Sequence, residues 1–228
     1  MQTRPRPTPA LSIGDLIWQA FFSPAEGLSN AARQQPIGWA IAFIVVIPFI
    51  YALVAWTPHK SFFDAPWKDA LLVAVIASLS FLIYSAAIHW ISRLLGGQGS
   101  YLGLFSALAF AFMPPALFHF LIVNLTKPMG DFGGVLKGLG DIGSFVWGLV
   151  LEVIAVREAH GLSTLRAIGV LVIFWGVIFG LLILLSDLLG RLLALFILLD
   201  RIPILAMFCI LLAILALTLW LPWLPGRR

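Results

Sequence analysis

Apolar residues run in five or six long, nearly unbroken stretches from about Ile37 to the end of the chain. They lie at about 37–57, 68–94, 102–124, 142–158, 165–187 and 203–222, and 188–202 either continues the fifth or turns along the surface. A bilayer core about 30 Å thick is crossed by about 20 apolar helical residues. The other route across, a closed barrel, requires alternating polar and apolar positions. The run LVIFWGVIFGLLILL from Leu171 does not alternate. The pattern therefore predicts an all-α protein, a polytopic transmembrane helical bundle.

Two shorter elements precede the first span. Leu11, Ile13, Leu16, Ile17, Ala20 and Phe21 alternate with Asp15 and Gln19, the pattern of an amphipathic helix in the headgroup layer. Ser23-Pro24-Ala25-Glu26 reads as a capping box with proline at the first helical position, so a second interfacial helix is expected from Pro24 towards Gln34. Trp39 and Trp56 bracket the first span, Trp67 and Trp90 the second, and Trp220 and Trp223 close the last, as indole rings do at membrane interfaces.

Composition agrees with this picture. Residues are 61% hydrophobic and 11% charged, with a mean hydropathy of +1.05. The net charge of +4 is scattered, so no nucleic-acid partner is expected, and the excess base is expected against anionic lipid headgroups of the bilayer. The single cysteine, Cys209, has neither a disulfide partner nor a metal-ligand neighbour. The Pro-rich first ten residues read as a disordered tail, and no cleavable signal pattern follows them. Lys and Arg divide eight against six between the two sides if the N-terminus is cytoplasmic, which favours that orientation.

Small and polar residues form stripes on four spans. Ala70, Ala74, Ser78, Ser85 and His89 share a face, as do Ala107, Ala111, Pro115 and His119. Asp141, Ser144, Gly148, Glu152 and Ala155 form the third stripe, and Gly169, Gly176, Gly180 and Asp187 the fourth. Small residues let helices approach closely in lipid, so Gly148, Gly169, Gly176 and Gly180 are expected to line packing seams. Glu152 lies about 9 Å inside its span at about 1.5 Å per residue. It is expected to join the fourth span to His89 and Arg93 of the second as a structural pair, to act as a proton or ion relay, or to snorkel. His119 falls near the opposite face, beyond reach of Glu152. Pro114-Pro115 interrupts the third span, and Pro48 bends the first. No nucleophile elbow, phosphate loop or metal motif occurs, so no catalytic residue, metal or cofactor is assigned. Gly96-Gly97-Gln98-Gly99-Ser100 reads as a tight turn between spans.

Three segments together resemble the Yip family of polytopic membrane proteins, named for Ypt/Rab-interacting proteins. They are Phe22-Ser23-Pro24 with Glu26; Leu95 to Tyr101, followed by an apolar stretch holding Pro114-Pro115; and Trp147 to Ala167, WGLVLEVIAVREAHGLSTLRA. The resemblance covers about residues 15–187. It implies a five-span bundle with a cytosolic N-terminus. Eukaryotic members are associated with Rab GTPases and traffic between endoplasmic reticulum and Golgi. This chain departs from that pattern in lacking a long cytosolic N-terminal region and adding a stretch at 203–222; its short loops suggest a prokaryotic member of an inner membrane, so Rab binding is not carried over. The resulting division is 1–36 for tail and interfacial helices, 37–187 for the five-span domain and 188–228 for an added span. The turn Arg157, Glu158, His160, Ser163 is expected on the inner face, presenting Glu158, His160 and Ser163 to headgroups, with Ser163 capping the next helix.

Three function classes follow. The leading one is a non-enzymatic protein that organises membrane or recruits and assists other membrane proteins. The second is a transporter or channel using Glu152, His89 and, near the other face, His119. The third is an intramembrane enzyme with Glu152 and His89 as an acid–base pair, which lacks any nucleophile or metal set.

Overall fold

The computed structural model describes residues 11–55 and 65–191. The expectations for the N-terminal tail, Trp56, Cys209 and the 203–222 stretch lie outside the described residues. Every regular element within them is helical. In order these are α1 (Ile13–Phe22), α2 (Pro24–Gln34), α3 (Ile37–Ala55), α4 (Pro66–Leu94), α5 (Tyr101–Thr126) and α6 (Gly130–His160), followed by α7 (Thr164–Arg191).

Four continuous helical runs among the described residues are long and apolar enough to cross a membrane: Ile37–Val54, Pro66–Leu94, Tyr101–His160 and Thr164–Arg191. The third is folded back on itself. A short 3-10 turn, Lys127–Met129, leads into Gly130 at φ +58°, a conformation that glycine adopts without a Cβ penalty. Its two halves, α5 and α6, pack antiparallel. A Cβ on Gly140 would meet Ile122 at 2.5 Å, and one on Gly148 would rest on Pro115 at 3.7 Å. The protein is thus an integral, multi-pass helical bundle, and among the described residues the folded third run supplies two of its long helices.

Compact packing divides the chain after Phe174. In the first unit the core gathers on the first half of α5, where Gly103 through Ala111 are all buried. Small side chains there admit neighbours on several sides, and Phe110 fills the middle, edge-on to Phe43 of α3 at 5.1 Å. Lipid tails are as apolar as these side chains, so close van der Waals packing, rather than burial from water, holds such helices together. The first part of the stripe on α4 packs on α3, while Ser85 and His89 meet Tyr101 and His160. Ala70 and Ala74 are fully buried, and Ser78 Oγ donates to the Ile44 carbonyl at 3.2 Å. In the second unit, Trp175 stacks obliquely on Phe179, and Asp187 pairs with Arg191 one turn on.

Several expectations need correction. The fourth span is not 142–158 but all of Gly130–His160, 31 residues. Its first third was obscured by glycines and by Asp131, Lys137 and Asp141, which lower the apolar density. The second short helix has the expected bounds, yet Ser23 makes no side-chain cap; the capping box forms on α1, between Ser12 and Asp15. Ser23 cannot cap because its backbone, at φ −140° and ψ 61°, is bent sharply between two helices. Gly148 and Gly169 pack on Pro115 and Leu95.

Candidate functional site

The turn after α4 and the turn after α6 interlock at one end of the bundle. Leu95 to Ser100 closes the α4–α5 hairpin, with Gly96 at φ +90°. Gly161, at φ +65°, ends α6 in a left-handed cap and sends the chain into α7. Ser163 caps α7 as expected, accepting from Arg166 N–H at 3.4 Å and, through its carbonyl, from Ala167. The two turns are stitched twice: Gln98 N–H donates to the His160 carbonyl at 3.1 Å, and Gly99 N–H donates to His160 Nδ1 at 3.1 Å.

Two glycines make this approach possible. A Cβ on Gly99 would lie 1.9 Å from the Ala159 carbonyl oxygen, and one on Gly97 would lie 2.9 Å from His160 Cβ. No side chain fits either place.

A backbone N–H only donates, so His160 Nδ1 accepts and the neutral ring carries its proton on Nε2. That nitrogen faces His89 Nδ1 on α4 at 3.3 Å, which makes His89 the acceptor in turn. Tyr101 closes the cluster, its ring edge-on to His89 and its hydroxyl 3.1 Å from Ser85 Oγ. His160 is 2% exposed. This corrects the expectation that it presents itself to headgroups: it points inward and serves as the pin of the junction. What the junction does expose is Trp90, Leu94, Arg93, Gln98, Ser163, Leu165 and Arg166. Arg157 folds onto its neighbour Glu158 at 2.6 Å.

The expected polar site is not assembled. His89 pairs with His160 rather than Glu152. Glu152 instead faces Tyr84 of α4. Neither Tyr84 Oη nor Glu152 Oε2 completes a hydrogen bond of good geometry among the described residues. Spans two and four are therefore hydrogen-bonded through His89 and His160, a partner other than the one expected. His119 stands apart near the far end of the bundle. There Tyr51 Oη lies 3.0 Å from its Nε2 and Asp141 Oδ1 lies 3.0 Å from its Nδ1, while Lys137 pairs with the other oxygen of Asp141. The Asp141 contact is close without being aligned as a hydrogen bond. This cluster ties α3, α5 and α6 together; only His119 of it was singled out from the sequence as a site residue. Its helical spacing gave no sign of Tyr51 on another span. Among the described residues no group of three or more His, Cys, Asp or Glu could hold a metal ion.

The segments behind the family resemblance meet in space. Leu95–Tyr101 locks onto His160, and Phe21, beside the Phe22-Ser23-Pro24 segment, stands edge-on to Trp147 at 6.0 Å. A Yip1 domain model matches residues 18–185, well over half of the chain. The protein belongs to the Yip1 domain family. The match begins inside α1 and takes in all of α2. No curated protein and no solved structure matches this chain.

Proposed function

We propose that this Yip1 domain protein is a non-enzymatic component of a prokaryotic inner membrane that recruits or assists other membrane proteins through its junction face, with the N-terminus cytoplasmic. One observation carries the reading: two turns from different hairpins are pinned into one rigid surface by a buried histidine. Rigid presentation lowers the ordering cost of binding a partner. That surface sets exposed apolar side chains, Leu94 and Leu165, beside Arg93 and Arg166, a mixture suited to a partner's helix end at headgroup level.

The test is photocrosslinking in native membranes from a reactive residue placed at Leu165, which is 79% exposed and holds no structural contact in the junction. A discrete protein adduct, lost when Arg166→Glu is added, is the expected result. Lipid adducts alone, in both forms, would count against recruitment.

A further inference from the structure

The two short N-terminal helices do not lie flat. Only Ser23 separates α1 from α2, and the helices run antiparallel, with Asn30 Nδ2 donating to Gln19 Oε1 at 3.0 Å. Gly27 lets them touch: a Cβ there would stand 2.7 Å from the Ala20 backbone nitrogen. Contacts at both ends of α2 fix its direction. At its C-terminal end Gln35 Nε2 donates to Ser100 Oγ at 2.9 Å, and the Ala32 carbonyl lies 2.8 Å from a Cβ built on Gly103. That is the junction end of the bundle. At the other end, Phe21 reaches Trp147, which itself touches Phe118 at 6.1 Å, well along α5 from Tyr101. Helix α2 therefore runs alongside the first half of α5, and α3 turns back down from the junction end immediately after it.

The lengths suit one leaflet. Helices α1 and α2 have 10 and 11 residues. At about 1.5 Å per residue each is about 15–17 Å long, half of a core about 30 Å thick. Polarity follows the same axis. Ser12 and Asp15 stand at the junction end of α1, whereas Trp18, midway along it, packs on Phe22 at the apex, and the two are 65% and 66% exposed among the described residues. Aromatic rings left bare at that depth fit acyl chains. Glu26 is the one exposed carboxylate near the apex, in the first turn of α2, where the free amides of a helix start favour negative charge.

We propose that α1–α2 is a re-entrant hairpin confined to the junction-side leaflet, and that this one-sided volume makes the protein favour membrane that is convex on that side. The partner is the bilayer itself. Two helices, each about 10 Å wide, add cross-section to one leaflet with no counterpart in the other, and one-sided insertion of this kind is curvature-sensitive. The inference stands on the hairpin's contacts and goes beyond the recruiting role.

The test uses the full chain in lipid vesicles with Cys209→Ser, so that a single spin label can be placed by Ser12→Cys or Phe22→Cys. Collision with oxygen and with a polar nickel chelate gives depth. The Phe22 label is expected about 15 Å deeper than the Ser12 label, from about 1.5 Å per helical residue. Equal, shallow depths would overturn the hairpin. The same preparation is then divided between small and large vesicles, counting only molecules whose junction faces the outer, convex leaflet. At least about twofold enrichment per lipid area in small vesicles is expected, falling towards none in Trp18→Ser with Phe22→Ser. Both positions are exposed, so this variant should fold. A deep label with no enrichment would overturn the curvature claim.

Discussion

His160 Nδ1 accepts the backbone N–H of Gly99 at 3.1 Å, although the two residues are 61 positions apart. That bond joins the α4–α5 turn to the end of α6, and its direction fixes the proton on His160 Nε2, facing His89. Removing the imidazole leaves a buried amide without an acceptor, at a cost of about 1–3 kcal/mol. His160→Ala is therefore expected to lower the thermal midpoint in detergent clearly. His160→Asn, whose carbonyl can stand near the Nδ1 position, should recover part of the loss. Equal midpoints for all three proteins would remove the pin from the account.

Glycines provide a sharper contrast. Gly99→Ala places a methyl into the Ala159 carbonyl and should cost at least the about 1–3 kcal/mol of overpacking. Gly138→Ala, in open space on α6, should be neutral or stabilising by up to about 1 kcal/mol. Unfolding of both variants, read by circular dichroism, checks the order.

At the far end, Tyr51 and His119 tie α3 to α5. Tyr51→Phe is expected to cost about 0.5–1.5 kcal/mol. In a double-mutant cycle with His119→Phe the second change should cost less once the first is made. Simple additivity would show that the contact contributes nothing.

Glu152 and Tyr84 face each other without Glu152 Oε2 or Tyr84 Oη completing a hydrogen bond among the described residues. A charge held there lacks compensation, so Glu152→Gln should leave stability unchanged or raise it. A large destabilisation would mean that the carboxylate has a structural partner.

Much of the architecture was legible from the sequence, for reasons tied to particular residues. Pro24 marked the start of α2. Gly96 to Ser100 marked a turn, and Ser163 marked a cap. Tertiary partnership was much less legible. A helical wheel put Glu152 and His89 on facing stripes, but a register difference of one or two turns between α4 and α6 decides that His89 meets His160 and Tyr84 meets Glu152. Gly99 looked like an ordinary turn glycine, because the backbone that crowds it, at Ala159 and His160, belongs to the end of a distant helix.

The most direct test of the junction is amide hydrogen exchange of the intact protein in a lipid disc, read at Gln98 and Gly99. Both amides donate to His160, one to its carbonyl and one to its ring. They are expected to exchange as slowly as amides inside α4 and α6, and in His160→Ala the Gly99 amide is expected to become fast. Exchange at both sites in the native protein as rapid as in an open turn would contradict a pinned junction.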